Sequence, residues 1–198
     1  MASDTQICNL ALLRLGAPPI ISMDDDSKRA LTLKANYELV RDIVLREHPW
    51  NFACGRAILD QLTEPPLFGW SFVYQLPADN LRVLGMVRLQ YPTQEVPMID
   101  PTLAYEIEGN QLLTNEAACN LRYIRQIIES GQFDVSFCSA MASRLAAEIC
   151  YDLTSNASMA QGLLKQYLTV DLPAARAINA QEKPSQVYTT NAWDDARI

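Results

Sequence analysis

Tyr37-Glu38-Leu39-Val40-Arg41-Asp42-Ile43-Val44-Leu45-Arg46-Glu47-His48-Pro49-Trp50-Asn51-Phe52-Ala53 reads as the end of a long amphipathic helix running into an aromatic anchor. Tyr37, Val40 and Val44 lie at helical spacing, with Leu39 and Ile43 beside them, while Arg41, Asp42, Arg46 and Glu47 fall mostly off that stripe. Pro49 has no N–H and pushes His48 out of helical geometry, so the helix is expected to stop there. Trp50 and Phe52, two apart in extended chain, would point to one side and fold back on the helix. Two readings follow. In one the stretch is a core anchor where helix hands over to strand. In the other its charged face, Arg41 and Arg46 especially, meets a neighbouring subunit.

Outward from this stretch, the N-terminal side is helical. Ser3-Asp4-Thr5-Gln6 matches a capping box, and a first helix is expected over residues 4–15, ending at Gly16 before Pro18 and Pro19. Its apolar residues run nearly all the way round, broken only by Gln6, Asn9 and Arg14. A short helix of this kind needs cover on both sides, from the deep core or from another subunit. Asp24-Asp25-Asp26 precedes Ser27-Lys28-Arg29 and reads as acidic capping of the second helix, residues 27–47. It lacks the alternating oxygen ligands and closing Glu of a calcium loop.

On the C-terminal side the pattern turns to β. Strands are expected at residues 56–62, 71–76, 81–89 and 120–125. A hairpin is expected over 105–114, with Gly109-Asn110 as its tight primed turn. In the third of these, Leu81, Val83, Val87 and Leu89 would share one face and Arg82 and Arg88 the other. Helix returns after the cap Asp134, where Phe137, Met141, Leu145, Ile149 and Leu153 recur every fourth residue with alanines between. A further helix starts near Met159, and Pro173 should kink or restart it. The expected architecture is α+β: N- and C-terminal helices packed as a bundle with a small antiparallel β subdomain inserted. In residues, 1–53 and 127–182 form the helical part, 54–126 the β insertion, and 183–198 an extended tail.

Composition narrows the function. The chain has 198 residues, 49% hydrophobic, with net charge −7. An acidic chain has no general electrostatic pull toward nucleic acid or anionic membrane. No apolar run approaches the roughly 20 residues of a membrane helix, and Met1-Ala2-Ser3-Asp4 does not read as a secretory signal. The five cysteines are scattered and form no Cys-x-x-Cys pair, which argues against a zinc site or disulfide framework and for a reducing compartment. The single histidine, His48, has no Gly-x-Ser-x-Gly elbow to serve, and there is no phosphate loop. Arg82, Arg88, Arg122 and Arg125 lie on strands without aromatic interleaving in a basic field, so a solvated or interface face is expected there. No cofactor and no metal is expected. A carboxylate pair of the glycosidase kind is set by space rather than spacing, and nothing in the sequence selects one.

The ordered signals resemble the tail tubular protein A family, the head-to-tail adaptors of short-tailed bacteriophages and their prophage relatives. The likeness is carried by several pieces in order. The first are Ile7-Cys8-Asn9-Leu10-Ala11-Leu12-Leu13-Arg14-Leu15-Gly16, Pro19-Ile20 and Ser22-Met23. Next come Tyr37, Arg41-Asp42, His48-Pro49-Trp50-Asn51-Phe52-Ala53 and Arg56. Tyr74-Gln75-Leu76-Pro77-Ala78-Asp79, Leu81-Arg82-Val83-Leu84, Arg144-Leu145-Ala146, Trp193 and Ala196-Arg197 complete the set. The resemblance implies a non-enzymatic virion protein at the head–tail junction, made in the host cytoplasm. It implies a ring, dodecameric in the family, under the portal protein, with a nozzle or tubular tail protein below. DNA would pass through the lumen without being bound, and no membrane would be involved. Arg14, Arg41 and Arg46 are the expected subunit-interface residues, and Tyr188, Trp193 and Arg197 of the tail the expected partner-binding ones. The tail has no period of 2 or 3.6, yet it carries residue types common in binding hot spots, and fully extended it reaches roughly 50 Å. Two other classes stand beside this reading: a phage peptidoglycan hydrolase using an Asp/Glu pair, and an ordinary bacterial cytoplasmic binding protein.

Overall fold

The computed structural model describes residues 2–88 and 99–182. The tail with Tyr188, Trp193 and Arg197, and most of the linker between the third and fourth strands, lie outside the described residues. The chain is α+β, with helices flanking two small antiparallel sheets. The helices are α1 (Asp4–Arg14), α2 (Lys28–Glu47), α3 (Val135–Thr154), α4 (Ala157–Gln166) and α5 (Leu172–Gln181). The strands are β1 (Cys54–Ile58), β2 (Phe72–Gln75), β3 (Asn80–Met86), β4 (Tyr105–Glu108), β5 (Gln111–Thr114) and β6 (Asn120–Arg125).

Local chemistry sets the helix ends where expected. Ser3 and Gln6 form the reciprocal capping box of α1. Ser27 accepts from Ala30 N–H at the start of α2, and Asp134 from Ser136 N–H at the start of α3. The acidic triplet does not cap α2, however. Asp25 accepts from the backbone of Ile21 and Ser22, while Asp24 pairs with Lys34 at 2.8 Å, so these carboxylates brace the preceding loop. Between α4 and α5 the expected kink is a π-helical turn, Tyr167–Asp171, with Pro173 in the first turn of α5.

Helix α3 runs through the helical layer and packs on α1, α2, α4 and α5. Its stripe Phe137, Met141, Leu145 and Ile149 is fully buried. Trp50 lies against it, 0% exposed, its ring edge-on to Phe137 with centroids 5.2 Å apart. The Trp50 indole N–H donates to the Val44 carbonyl at 2.9 Å, so the anchor does fold back on α2. The local path differs from the extended chain expected: Asn51–Ala53 form a 3-10 turn. Trp50 and Phe52 still stack at 6.5 Å. Asn51 closes the junction onto α5. Its N–H donates to the Asn179 side chain at 2.9 Å and its side-chain amide to the Asn179 carbonyl at 2.8 Å.

Two sheets carry the rest. Sheet A has the order β1-β6-β3 and sheet B the order β2-β5-β4. Adjacent residues of β6 serve two cores, because successive side chains point to opposite faces. Ile124 joins the helical core, whereas Leu121 and Tyr123 join a second core with Tyr74, Leu76, Met86 and Leu112 between the sheets. The β4–β5 hairpin forms with Gly109 at φ 58° in its two-residue turn. Strand β3 departs from simple alternation. Its register against β6 shifts between Asn80 and Arg82 and again between Val83 and Gly85. Each bulge rotates the following side chains, so Leu81 and Leu84 reach the helical core while Val83 and Met86 face sheet B. At Gly85, φ 149°, a Cβ would lie 2.5 Å from the side chain of Ile99, whose backbone bridges to Val87 two residues along. The first strand is shorter than expected. After Ile58 the chain leaves sheet A, and Gln61 pairs with Tyr74 at the margin of sheet B.

Trp50→Ala is expected to destabilise the fold by about 3–5 kcal/mol, since it removes a fully buried aromatic. Denaturant unfolding followed by far-UV circular dichroism measures this. An unchanged midpoint would show that the junction is not a core element.

Candidate interaction surfaces

Helix α1 has the uncovered side that its composition raised as a question. Ile7, Cys8, Ala11 and Leu12 are buried against the helical core. Leu13 is 72% exposed. With Gln6, Asn9, Leu10, Ala17 and Pro19 it lines a shallow groove of about 350 Å³. Asn9 shapes one wall, its side chain donating to the Ile20 carbonyl and accepting from the Ile20 N–H. The chain's own core therefore covers one side of α1 and leaves the other open.

The three arginines expected at a subunit interface have different fates. Arg41 is corrected outright: it is 4% exposed, so it has no face to offer a neighbour. Its Nε donates to Asp42 at 2.9 Å, and Asp42 also accepts from Gln126 at 2.7 Å, which ties α2 to the chain just after β6. Arg14 also works inside the fold. Its guanidinium bonds Ser143 of α3, Asp171 at 3.1 Å and Ser139 at 3.2 Å, and Ser143 donates to the same Asp171 carboxylate at 2.7 Å. This network joins α1, α3 and the π turn. Arg46 alone of the three is exposed, and its carbonyl accepts from Arg82 of β3 at 2.9 Å.

Sheet B has an outward face that the sequence reading missed. Val73, Leu113, Glu106 and Glu108 point away from the inter-sheet core, because their neighbours Tyr74, Leu112 and Tyr105 point into it. Residues 62–70 lie beside this face and frame a groove of about 690 Å³, lined among others by Glu64, Trp70, Glu106 and Glu108. The Trp70 indole N–H donates to Glu106 at 3.0 Å. Leu67 and Phe68 on the groove's rim are 97% and 84% exposed. From sequence, Thr63-Glu64-Pro65-Pro66 reads only as a break between strands. The available signal was the run of exposed-type apolar residues after it, alongside the Glu106/Glu108 alternation.

Sheet A has an outward patch facing the other way. Arg56 of β1 sits directly opposite Arg122 of β6, with Ile58 opposite Asn120 next along. These residues share a face with Ile124, the face toward the helices, at the end the helices do not reach. Ile58 is 78% exposed. Among the described residues neither arginine has an ion-pair partner, and Arg122 Nε is buried without an acceptor.

All five cysteines are free thiols. Burial pushes Cys8 up to about 12, and Cys119 and Cys138 up to about 11, so these three are poor nucleophiles. Tyr167 is raised above its ordinary value by burial and by donating its hydroxyl to Glu47. The Arg144 guanidinium lies over the Tyr167 ring, 5.8 Å from its centroid. His48 meets Asn179 at 3.1 Å and Trp50 edge-on at 4.9 Å, at the helix junction. Among the described residues no cluster of three or more His, Cys, Asp or Glu is arranged to hold a metal ion. No family model matches this chain, and no curated protein matches it.

Arg14→Leu is expected to lower stability by about 1–3 kcal/mol, because it removes the guanidinium that bonds the partly buried Asp171 carboxylate and the buried Ser143. Thermal unfolding of the variant measures the loss. A melting temperature equal to that of the parent would show that the network contributes nothing and that Arg14 is free to serve a contact.

Proposed function

We propose that the chain is a structural virion protein, a head-to-tail adaptor that forms a ring between the portal and the nozzle or tubular proteins of the tail. In this reading the helical layer forms the ring wall and docks on the portal, and the sheets face the next tail component. The ring extends the DNA channel and seals it, and DNA passes through without being held. The net charge of −7 fits a lumen that should not bind phosphate. The observation that carries the reading is where the residues of the family likeness lie. Arg14 ties α1 to α3, Trp50 and Asn51 tie α2 to α3 and α5, and Arg144 sits over Tyr167. These pieces of the likeness fall on the joints of the helical layer, the part a ring wall would be built from, while others lie on the strands. The open side of α1, with Leu10 and Leu13, and the exposed Arg46 are the surfaces it leaves for neighbouring subunits. Tyr188, Trp193 and Arg197 are proposed as the tail anchor for the portal.

A second reading, a peptidoglycan hydrolase, draws its support from the sheet B groove, where three carboxylates and Trp70 line one cleft. A zymogram with purified protein, and with Glu106→Gln and Glu108→Gln, separates the two. Clearing lost in one variant would favour the hydrolase.

The adaptor reading expects the purified chain alone to be a monomer or loose oligomer and to form a closed ring when mixed with its portal. Native mass spectrometry of the two proteins, apart and together, tests it. A stable ring without portal, or no complex with portal, would overturn it.

A further inference from the structure

We propose that copies of this chain dock head to tail through the two outward faces of the sheet stack: the Arg56/Arg122 patch of one copy seats in the Glu64/Glu106/Glu108 groove of the next. Three observations carry this. The first is the state of the arginines. They stand directly across an antiparallel pair, where like charges oppose each other, and no carboxylate among the described residues neutralises them. Arg122 Nε is buried without an acceptor, a donor that an incoming carboxylate would satisfy.

The second observation is that the complementary surface exists on the same molecule. Among the described residues Glu64 and Glu108 have no ion-pair partner, and the groove rim carries the exposed Leu67 and Phe68. Ile58 beside the arginines provides an apolar group to meet them. Arginine, carboxylate and exposed aromatic on facing surfaces are the elements of a hot spot.

The third is direction. The arginine patch lies on the helix side of sheet A and the glutamate groove on the far side of sheet B, so the two faces look opposite ways. A copy cannot use both against the same neighbour in a two-fold dimer. The contact is heterologous, and repeated heterologous contacts close into a ring or run on as a filament. The contact stands on this chain alone; only its closure into a ring rests on the adaptor reading.

Sedimentation of the purified full chain over a range of concentrations at low salt tests the contact. Wild type is expected to show a weight-average mass that rises with concentration and falls back with added salt. Arg56→Glu/Arg122→Glu and Glu64→Arg/Glu108→Arg should each weaken self-association roughly tenfold or more. An equimolar mixture of the two variants should associate again, because each keeps the face the other has lost. Arg56→Glu alone, at an exposed position with no partner among the described residues, gives the same test should Arg122 prove necessary for folding. A wild type that stays monomeric throughout, variants that associate as wild type does, or a mixture that stays monomeric would each overturn the proposal. Portal binding separates this from the adaptor reading. If the arginine variant assembles on portal as wild type does, the contact falls and the adaptor stands. If wild type ignores portal while the charge-reversal pattern holds, the adaptor falls and the contact stands.

Discussion

Burial of Trp50 is the interaction on which the rest of the structure depends. Pro49 ends α2 by removing a donor and forcing its neighbour out of helical geometry. A helix end of this kind would leave carbonyls open and the chain free to leave in many directions. The indole resolves both problems: its N–H takes the Val44 carbonyl, and its ring fills the space against Phe137 of α3. Direction is thereby set for Asn51–Ala53 and then β1, which enters sheet A beside β6. Asn51, carried to a fixed place by the same turn, closes onto Asn179 and Glu182 at the end of α5. One buried ring therefore locates the first strand and brings the two ends of the helical layer together.

From that junction β6 divides the molecule's apolar content between two cores. Ile124 seals the helical core while Tyr123 and Leu121, one and three residues before it and so on the opposite face of the pleat, seal the inter-sheet core. Sheet A is thus covered on both faces, and the surfaces left outside are the open side of α1, the arginine end of sheet A and the outer groove of sheet B. The residues of the two cores lie largely elsewhere. These surfaces combine apolar groups with unpaired charge held on regular elements.

Much of this was legible in the sequence where a local rule decides. The capping box at Ser3, the Asp134 cap, the fourfold recurrence of Phe137, Met141, Leu145 and Ile149, and the Gly109-Asn110 turn each depend on residues a few positions apart. What escaped depends on distant pairing. Arg41 lies off the helical stripe yet is buried, because Asp42 and Gln126 form a polar pocket that no spacing in α2 discloses. Leu39 reads as apolar company for the stripe and is exposed. The two bulges in β3 turn its faces, and they exist only in relation to β6. Arg56 and Arg122 become a pair through strand register, and residues 62–70 become a groove wall through lying beside β2 and β5.

If Trp50 ties the helical layer to sheet A as described, those two parts cannot open independently. Native-state hydrogen exchange under increasing denaturant tests this most directly. The expected result is that the slowest amides of α3, around Met141 and Leu145, and those of β6, from Leu121 to Ile124, merge into one global unfolding isotherm. A β6 that exchanges through its own opening, at clearly lower free energy than α3, would contradict the account.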